Sequence, residues 1–415
     1  MTFAQIATLT VLAGVVAALL NGRLRADVVA LSAAAILTIL GVATLEDLQR
    51  GFASPALVAL ASLFVLAEAL SRTGVMALIL RSASRLVERL GAASVPLIIG
   101  LCAVLSAFLN NTPLVILAAP VVQDAARRLG WSPRKLLIPL SYAAVLGGLC
   151  TLIGTSTNLL VDDMARQAGL TGFTLFEITG VGVSVAAAGG LYLLIVAPRL
   201  LPSDDGSEPL PLVDDARPLR PLKALFSAVV FAFVLGAAAG GMPIATVSFA
   251  GAVLLLLTRA LEPEEAYSGL RPQVLLMIAG MLVVGAALDR TGLARDATDV
   301  IARLTRPFGP VVALAAVYIV ASILTELMSN AAVAVLLTPL AIGLAQNLGV
   351  DPRPFVVAVM MSASAAFATP FGYQTNAIVH HIGRYRYFDF VRVGLPLNIL
   401  TGVVAIVTIP RFFPF

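Results

Sequence analysis

Charge is scarce in this sequence. Only 12% of its 415 residues are Asp, Glu, Lys or Arg, against 59% hydrophobic, and the mean hydropathy is +0.98. A soluble domain carries roughly 25% charged residues to cover its surface, so the solvent of this chain is lipid. The two cysteines, Cys102 and Cys150, lie in apolar stretches and leave no disulfide framework. The two histidines, His380 and His381, are adjacent, and helix neighbours do not share a face, which argues against a paired metal site. The single tryptophan, Trp131, reads as an interface anchor. The net charge of +4 comes from basic residues in short loops and gives no reason to expect nucleic acid. No basic segment precedes the first apolar run, which reads as a retained span rather than a cleaved leader.

What is present is a series of apolar stretches of spanning length or near it. They run 3–21, 26–43, 54–71, 136–161, 179–197, 224–241, 244–258, 273–288, 354–380 and 393–409. Two more, 93–129 and 309–348, are apolar but interrupted midway by polar tripeptides. Each arm is ~15 residues, ~22 Å as helix against a hydrocarbon core of ~30 Å. Re-entrant hairpins fit that length better than full spans, a pair of short spans being the other reading. Residues 198–223 hold six prolines and five acids and cannot form a membrane helix. This segment is the expected cytoplasmic linker between 1–197 and 224–415.

The two halves repeat. Arg72-Thr73-Gly74 recurs as Arg290-Thr291-Gly292, and Thr157-Asn158 as Thr375-Asn376, each 218 positions on. Pro120 recurs as Pro339, Leu129-Gly130 as Leu348-Gly349 and Pro133-Arg134 as Pro352-Arg353, each 219 on. Each half holds five spans and one hairpin, and an odd number of crossings inverts the second copy. The expected fold is therefore an all-α polytopic membrane protein of two inverted repeats. Each repeat has five transmembrane helices plus one re-entrant hairpin, with broken helices (136–161 and 354–380) at the midplane.

Most of the Lys and Arg fall on one side if the 22–25 loop is cytoplasmic, which puts both termini outside a plasma (inner) membrane. Residues 75–90 set Arg81, Arg85 and Arg89 on one helical face, as suits an anionic inner leaflet, whereas 293–305 mixes Arg295 and Arg303 with Asp296 and Asp299.

Four polar interruptions carry the candidate chemistry: Asn110-Asn111-Thr112, Gly154-Thr155-Ser156-Thr157-Asn158, Ser329-Asn330-Ala331, and 369–376 with Gly372-Tyr373-Gln374-Thr375-Asn376. Unwound backbone at membrane depth persists only where protein buries it or a cavity receives it. Half-helix N-termini offer N–H groups and a positive dipole end to an anion. Freed carbonyls with Asn, Ser and Thr oxygens suit Na⁺. Ser106 and Thr325 each stand four residues before a tip, one turn below it on the same face. No Lys or Arg lies in any of the four motifs, so an anion there would be compensated by dipoles, neutral donors and co-bound cations. Two acids, Glu68 and Glu326, sit within apolar segments and are functional suspects, Glu326 as a possible proton-coupling group.

On these tips and breaks the chain resembles the divalent-anion:sodium symporter family of the ion transporter superfamily, which includes sodium-coupled dicarboxylate, citrate and sulfate carriers. The resemblance implies Na⁺-coupled symport of a divalent anion, a homodimer, and a transport domain that moves as an elevator past a scaffold. It implies a first Na⁺ site at Ser106, Asn110, Asn111 and Gly154, and a second at Thr325, Ser329, Asn330 and Gly372. It implies substrate near Asn111, Thr112, Thr157, Asn158, Asn330, Thr375 and Asn376, and no cofactor beyond the coupling ion. Two positions depart from the family pattern of Ser-Asn-Thr at each tip. Asn110 stands where the family has Ser, and Ala331 lacks the last hydroxyl, which makes a smaller anion such as sulfate an alternative to a dicarboxylate.

Two other readings remain. A cation/proton antiporter or H⁺-coupled oxyanion transporter of the same superfamily would use Glu326. An intramembrane enzyme would need a nucleophile–base pair or metal cluster at depth, and no Asp/His/Cys cluster lies in any span.

Overall fold

The computed structural model describes residues 1–21, 23–84, 89–202 and 219–415, and those residues are helical with no strand. The first half holds α1 (Phe3–Asn21), α2 (Ala26–Ile39), α3 (Leu45–Phe52), α4 (Pro55–Arg72) and α5 (Val75–Ser84). It continues with α6 (Ser94–Ser106), α7 (Asn111–Arg128), α8 (Arg134–Gly148), α9 (Ser156–Gln167) and α10 (Thr179–Ile195). The second half answers in the same order with α11 (Pro221–Ala239), α12 (Ile244–Leu257), α13 (Pro263–Gly269), α14 (Pro272–Arg290) and α15 (Leu293–Thr305). Then come α16 (Pro310–Thr325), α17 (Asn330–Leu348), α18 (Arg353–Ser364), α19 (Gln374–Gly383) and α20 (Tyr387–Phe412). Each of these helices thus has a counterpart ten places later, and a further helical turn, Ala197–Leu200, closes the first half. Single helical turns at Gly91–Ala93 and Arg306–Phe308 also match.

Among the described residues, six helices are long and apolar enough to cross a bilayer on their own. Six further apolar helices among the described residues are shorter, 10–17 residues each. The tips fall at 107–110 and 326–329, and the breaks at 149–155 and 365–373, inside the expected stretches. One boundary differs from the sequence reading. Pro221 to Lys223, read as linker, form the first turn of α11, where an N1 proline costs no hydrogen bond. The linker's centre, 203–218, lies outside the described residues, as does Arg85 of the basic face read over 75–90.

The short helices α3 and α13 were not read from the pattern. Each precedes a long span and is set by its own cap. Thr44 and Asp47 form a reciprocal capping box at α3, and the Glu265 carboxylate accepts from the Glu262 amide at 3.3 Å before α13.

Packing crosses between halves. α2 lies on α14 and α12 on α4, while α3 lies on α14 and α13 on α4. Small residues allow this close approach, as usual where lipid supplies no hydrophobic drive. A Cβ added to Gly280 on α14 would sit 2.7 Å from the carbonyl carbon of Ala30 on α2. Helices α1–α4 and α11–α14 form one body, and α6–α10 with α16–α20 form the other. α5 and α15 bridge them, α5 packing on α4 and α7, and α15 on α14 and α17. Between the bodies the packing is one-sided. α4 packs on α9 and α14 on α17, but the exchanged pairs, α14 with α19 and α4 with α7, do not pack closely.

Candidate functional site

A cavity of about 180 Å³ opens where those exchanged pairs face each other. One wall is Phe64 of α4 with Arg271, Val274 and Met277 at the start of α14. The other wall comes from all four polar interruptions: Asn110 and Thr112, Thr155 to Thr157, Ser329 to Ala331, and Phe371 to Gln374. The N-termini of α7, α9, α17 and α19 therefore meet at one place. Asn110 caps α7 by accepting from the Thr112 amide at 3.1 Å, and Ser329 caps α17 from the Ala332 amide at 3.4 Å. Thr155 caps α9, whereas α19 starts at Tyr373 with no side-chain cap. First-turn N–H groups have no partner within their own helix, so this cluster is a ready anion receptor.

Behind the cavity each hairpin tip is tied to its break by one network, made twice. In the first half, Ser106 Oγ donates to Asn111 Oδ1 at 2.5 Å, and the Thr151 hydroxyl donates to the Ala107 carbonyl. Thr151 Oγ1 accepts from the Gly154 amide at 3.1 Å, and the Thr151 carbonyl accepts from Asn158 Nδ2 at 3.0 Å. In the second half, Thr325 Oγ1 lies 2.9 Å from Asn330 Oδ1, and Thr369 donates to the Glu326 carbonyl at 3.2 Å. Thr369 Oγ1 accepts from the Gly372 amide at 3.0 Å, and its carbonyl from Asn376 Nδ2 at 3.1 Å.

The glycines are required by contact. A Cβ on Gly154 would fall 2.5 Å from the Gly148 carbonyl oxygen and 2.9 Å from that of Ala107. A Cβ on Gly148 would sit 3.2 Å from Asn111 Oδ1 and from the Gly154 carbonyl oxygen. Three carbonyls and the Asn111 side-chain amide thus crowd a small volume, and carbonyl oxygens are the donors a hard cation takes.

The second copy differs by a carboxylate. Glu326 stands where the first tip has Ala107. Its Oε1 accepts from the Ala368 amide and from Asn398 Nδ2, both at 2.7 Å. Its Oε2 is buried without a hydrogen-bond partner among the described residues, and a Cβ on Gly372 would lie 3.0 Å from it. Glu68, the other intramembrane acid, instead lies 2.5 Å from Arg72 Nε.

Of the residues singled out in the sequence, Asn110, Thr112, Thr157, Ser329, Asn330 and Gly372 line the cavity. Asn111 is buried just behind it and donates to the Tyr373 hydroxyl at 2.8 Å. Ser106, Gly154 and Thr325 belong to the networks. Asn158, Thr375 and Asn376 do not reach the cavity: they are fully or almost fully buried, with Ser141 Oγ 2.8 Å from Thr375 Oγ1 and 2.7 Å from Asn376 Oδ1. They brace the breaks from the far side of each half-helix.

Sequence reasoning missed Arg271. Its Nη1 donates to Gln374 Oε1 at 3.1 Å and its guanidinium lies 5.9 Å from the Phe64 ring centre. Gln374 Oε1 also accepts from Thr112 Oγ1 at 3.1 Å. One signal was available. Arg271 immediately precedes the N1 proline of α14, and a cation at a helix N-terminus opposes the dipole by roughly 0.3–1 kcal/mol.

Comparison with known proteins agrees with this architecture. The family model described as citrate transporter matches residues 15–359. An uncharacterised transporter of Synechocystis is 24% identical, over 90% of this chain and 91% of its own. Sodium/sulfate cotransporter 1 of Chlamydomonas reinhardtii is 37% identical over 39% of this chain, which spans only 19% of that protein. The crystal structure of the Alcanivorax borkumensis YdaH transporter superposes with a TM-score of 0.64 at 16% identity, covering 88% of this chain and 86% of that one, and so shares the fold. The resemblance to sodium-coupled anion carriers read from the motifs fits these relatives. With a family match over most of its length, the chain belongs to the citrate transporter family: it is a multi-pass membrane transporter and not an enzyme.

Proposed function

We propose that the protein is a secondary active transporter that carries a divalent anion, sulfate or a di- or tricarboxylate, together with Na⁺. The observation that carries this reading is the meeting of four half-helix N-termini on one cavity, backed by two copies of one Thr–Gly–Asn network. The N-termini receive the anion near Asn111, Thr112, Thr157 and Asn330. Asn158, Thr375 and Asn376 hold the half-helices in register. One Na⁺ lies at Ser106, Asn111 and Gly154 beneath the Asn110 cap. The other lies at Thr325, Asn330 and Gly372 beneath the Ser329 cap. Cation binding at both cages offsets the anion's charge, so the two are taken up together.

The one-sided packing of the two bodies supports alternating access by an elevator movement. α6–α10 and α16–α20 slide past α1–α4 and α11–α14, and the exchanged helix pairs then close. Residues 1–197 and 224–415 act as inverted repeats joined by the 198–223 linker, with both termini outside and the present cavity open to the cytoplasm. A homodimer through the stationary body fits the apolar residues exposed on α1 and α11, among them Phe3, Ile6, Leu225 and Phe233. The test is uptake of labelled sulfate, succinate and citrate into proteoliposomes under an inward Na⁺ gradient, with choline replacing Na⁺ in the control. Uptake undiminished in choline overturns Na⁺ coupling.

A second reading, H⁺ coupling, rests on Glu326, whose buried Oε2 has no hydrogen-bond partner among the described residues. Uptake driven by a pH gradient without Na⁺ would select it.

A further inference from the structure

The cavity's cationic wall and its tips belong to different bodies. Among the described residues Arg271 is the only Lys or Arg that lines the cavity, and it sits at the start of α14 on the body without the tips. It forms no salt bridge among the described residues. Its recorded partners are a neutral amide oxygen, Gln374 Oε1, and the Phe64 ring. A guanidinium has five N–H donors arranged to grip an oxyanion in two places. One of them is engaged here. A cation set against a helix dipole and beside an anion receptor, whose one acidic neighbour among the described residues, Glu68, is already paired with Arg72, is charge held ready for a ligand.

The matching place in the first half has the opposite character. There the N-cap of α4 is Ser54, whose hydroxyl donates to Asp163 Oδ2 at 2.6 Å. Asp162 and Asp163 line a second cavity of about 420 Å³, where Arg166 is already held by Asp162 at 2.9 Å. Exchange of the two halves' arrangements would therefore put Ser54, bonded to an acid, where Arg271 now stands.

We propose that Arg271 binds the transported anion directly, from the stationary body, so that the anion meets a full positive charge in only one of the carrier's two orientations. This rests on the anion-transport reading above. Arg271 releases Gln374 as the anion takes its place, which frees Gln374 to donate its own amide to the same oxyanion. A compact dianion with two oxygens toward Arg271 and the rest toward the helix N-termini fits a cavity of about 180 Å³.

The experiment uses the purified full-length protein in detergent, and the probe is whichever of sulfate, succinate and citrate stabilises it most in Na⁺. Arginine modification by phenylglyoxal is followed at Arg271 by peptide mass spectrometry. With the anion at ten times its half-saturating concentration, mass action predicts about tenfold slower modification, in Na⁺ and not in choline. In parallel, Arg271→Gln keeps the Na⁺-dependent stabilisation and loses anion affinity by about 10- to 100-fold, the size of a charged hydrogen bond. Arg271→Lys recovers part of that loss. Modification unaffected by the anion, or an Arg271→Gln protein that binds it within twofold of wild type, overturns the proposal and leaves the symport reading intact. If wild type binds none of the three anions in Na⁺, the transport reading falls, and this inference with it.

Discussion

Thr151 and Thr369 stand 218 positions apart and perform the same task. Each donates its hydroxyl to a hairpin-tip carbonyl, accepts from the amide of a break glycine, and offers its own carbonyl to an asparagine amide. The pairing links the duplicated sequence to duplicated chemistry. A threonine fixes how a tip meets a broken helix, and that contact sets where the freed backbone oxygens and amides point.

Removing either hydroxyl should disturb one cation cage and spare the other. Thr369→Val leaves the buried Gly372 amide unpaired, a cost of about 1–3 kcal/mol, and Thr151→Val leaves the Gly154 amide only its 3.4 Å bond to the Thr151 carbonyl. The expected result is a roughly tenfold or greater rise in the Na⁺ concentration for half-maximal stabilisation in each variant, that shift corresponding to about 1.4 kcal/mol. Na⁺ titration of the melting temperature reads it. The double variant should lose Na⁺ stabilisation altogether.

Glu326→Gln tests what the extra carboxylate does. The amide oxygen can still accept from Ala368 and Asn398, so the fold holds, but the charge beside the second cage is gone. Under Na⁺ coupling, Na⁺ affinity drops about tenfold, in line with the greater worth of charged hydrogen bonds, and transport stays Na⁺-dependent. Uptake assays across pH would detect the other outcome, in which Na⁺ affinity is unchanged and pH dependence vanishes.

Ala331 is the place to alter selectivity. It lines the cavity at the second tip without a hydroxyl. Ala331→Thr adds a donor and fills space, and it should move preference from sulfate toward succinate by about tenfold, the yield of one well-placed hydrogen bond. Competition between the two anions for uptake measures the change.

Sidedness follows from the unlike helix starts, Arg271 at the N-cap of α14 and Ser54, bonded to Asp163, at that of α4. In proteoliposomes of defined orientation, the half-saturating anion concentration should be lower on the Arg271 side. Arg271→Gln should abolish that difference.

The parts of the fold written in hydrophobic pattern were legible. Polar tripeptides inside apolar runs marked both tips, and Gly-Thr-Ser-Thr-Asn and its partner marked both breaks, because only a satisfied interruption survives in lipid. α3 and α13 were not legible, since eight and seven residues are too few to show a period. Asn158 and Asn376 carried the right residue type, but a pattern cannot say which face of a half-helix looks into the cavity, and theirs looks away. Arg271 was hidden for another reason. Loop arginines follow the rule for membrane orientation so generally that one turned inward looks like the rest.

The central claim is that a cation pair and an anion share one site between the bodies. Thermal stability of the purified protein, with Na⁺ against choline and with sulfate, succinate, citrate or phosphate added, tests it most directly, because a ligand of the folded state raises the midpoint by mass action. The account predicts that Na⁺ alone raises the midpoint and that one divalent anion raises it further only when Na⁺ is present. An anion that stabilises equally well in choline, or a protein indifferent to Na⁺, would contradict it.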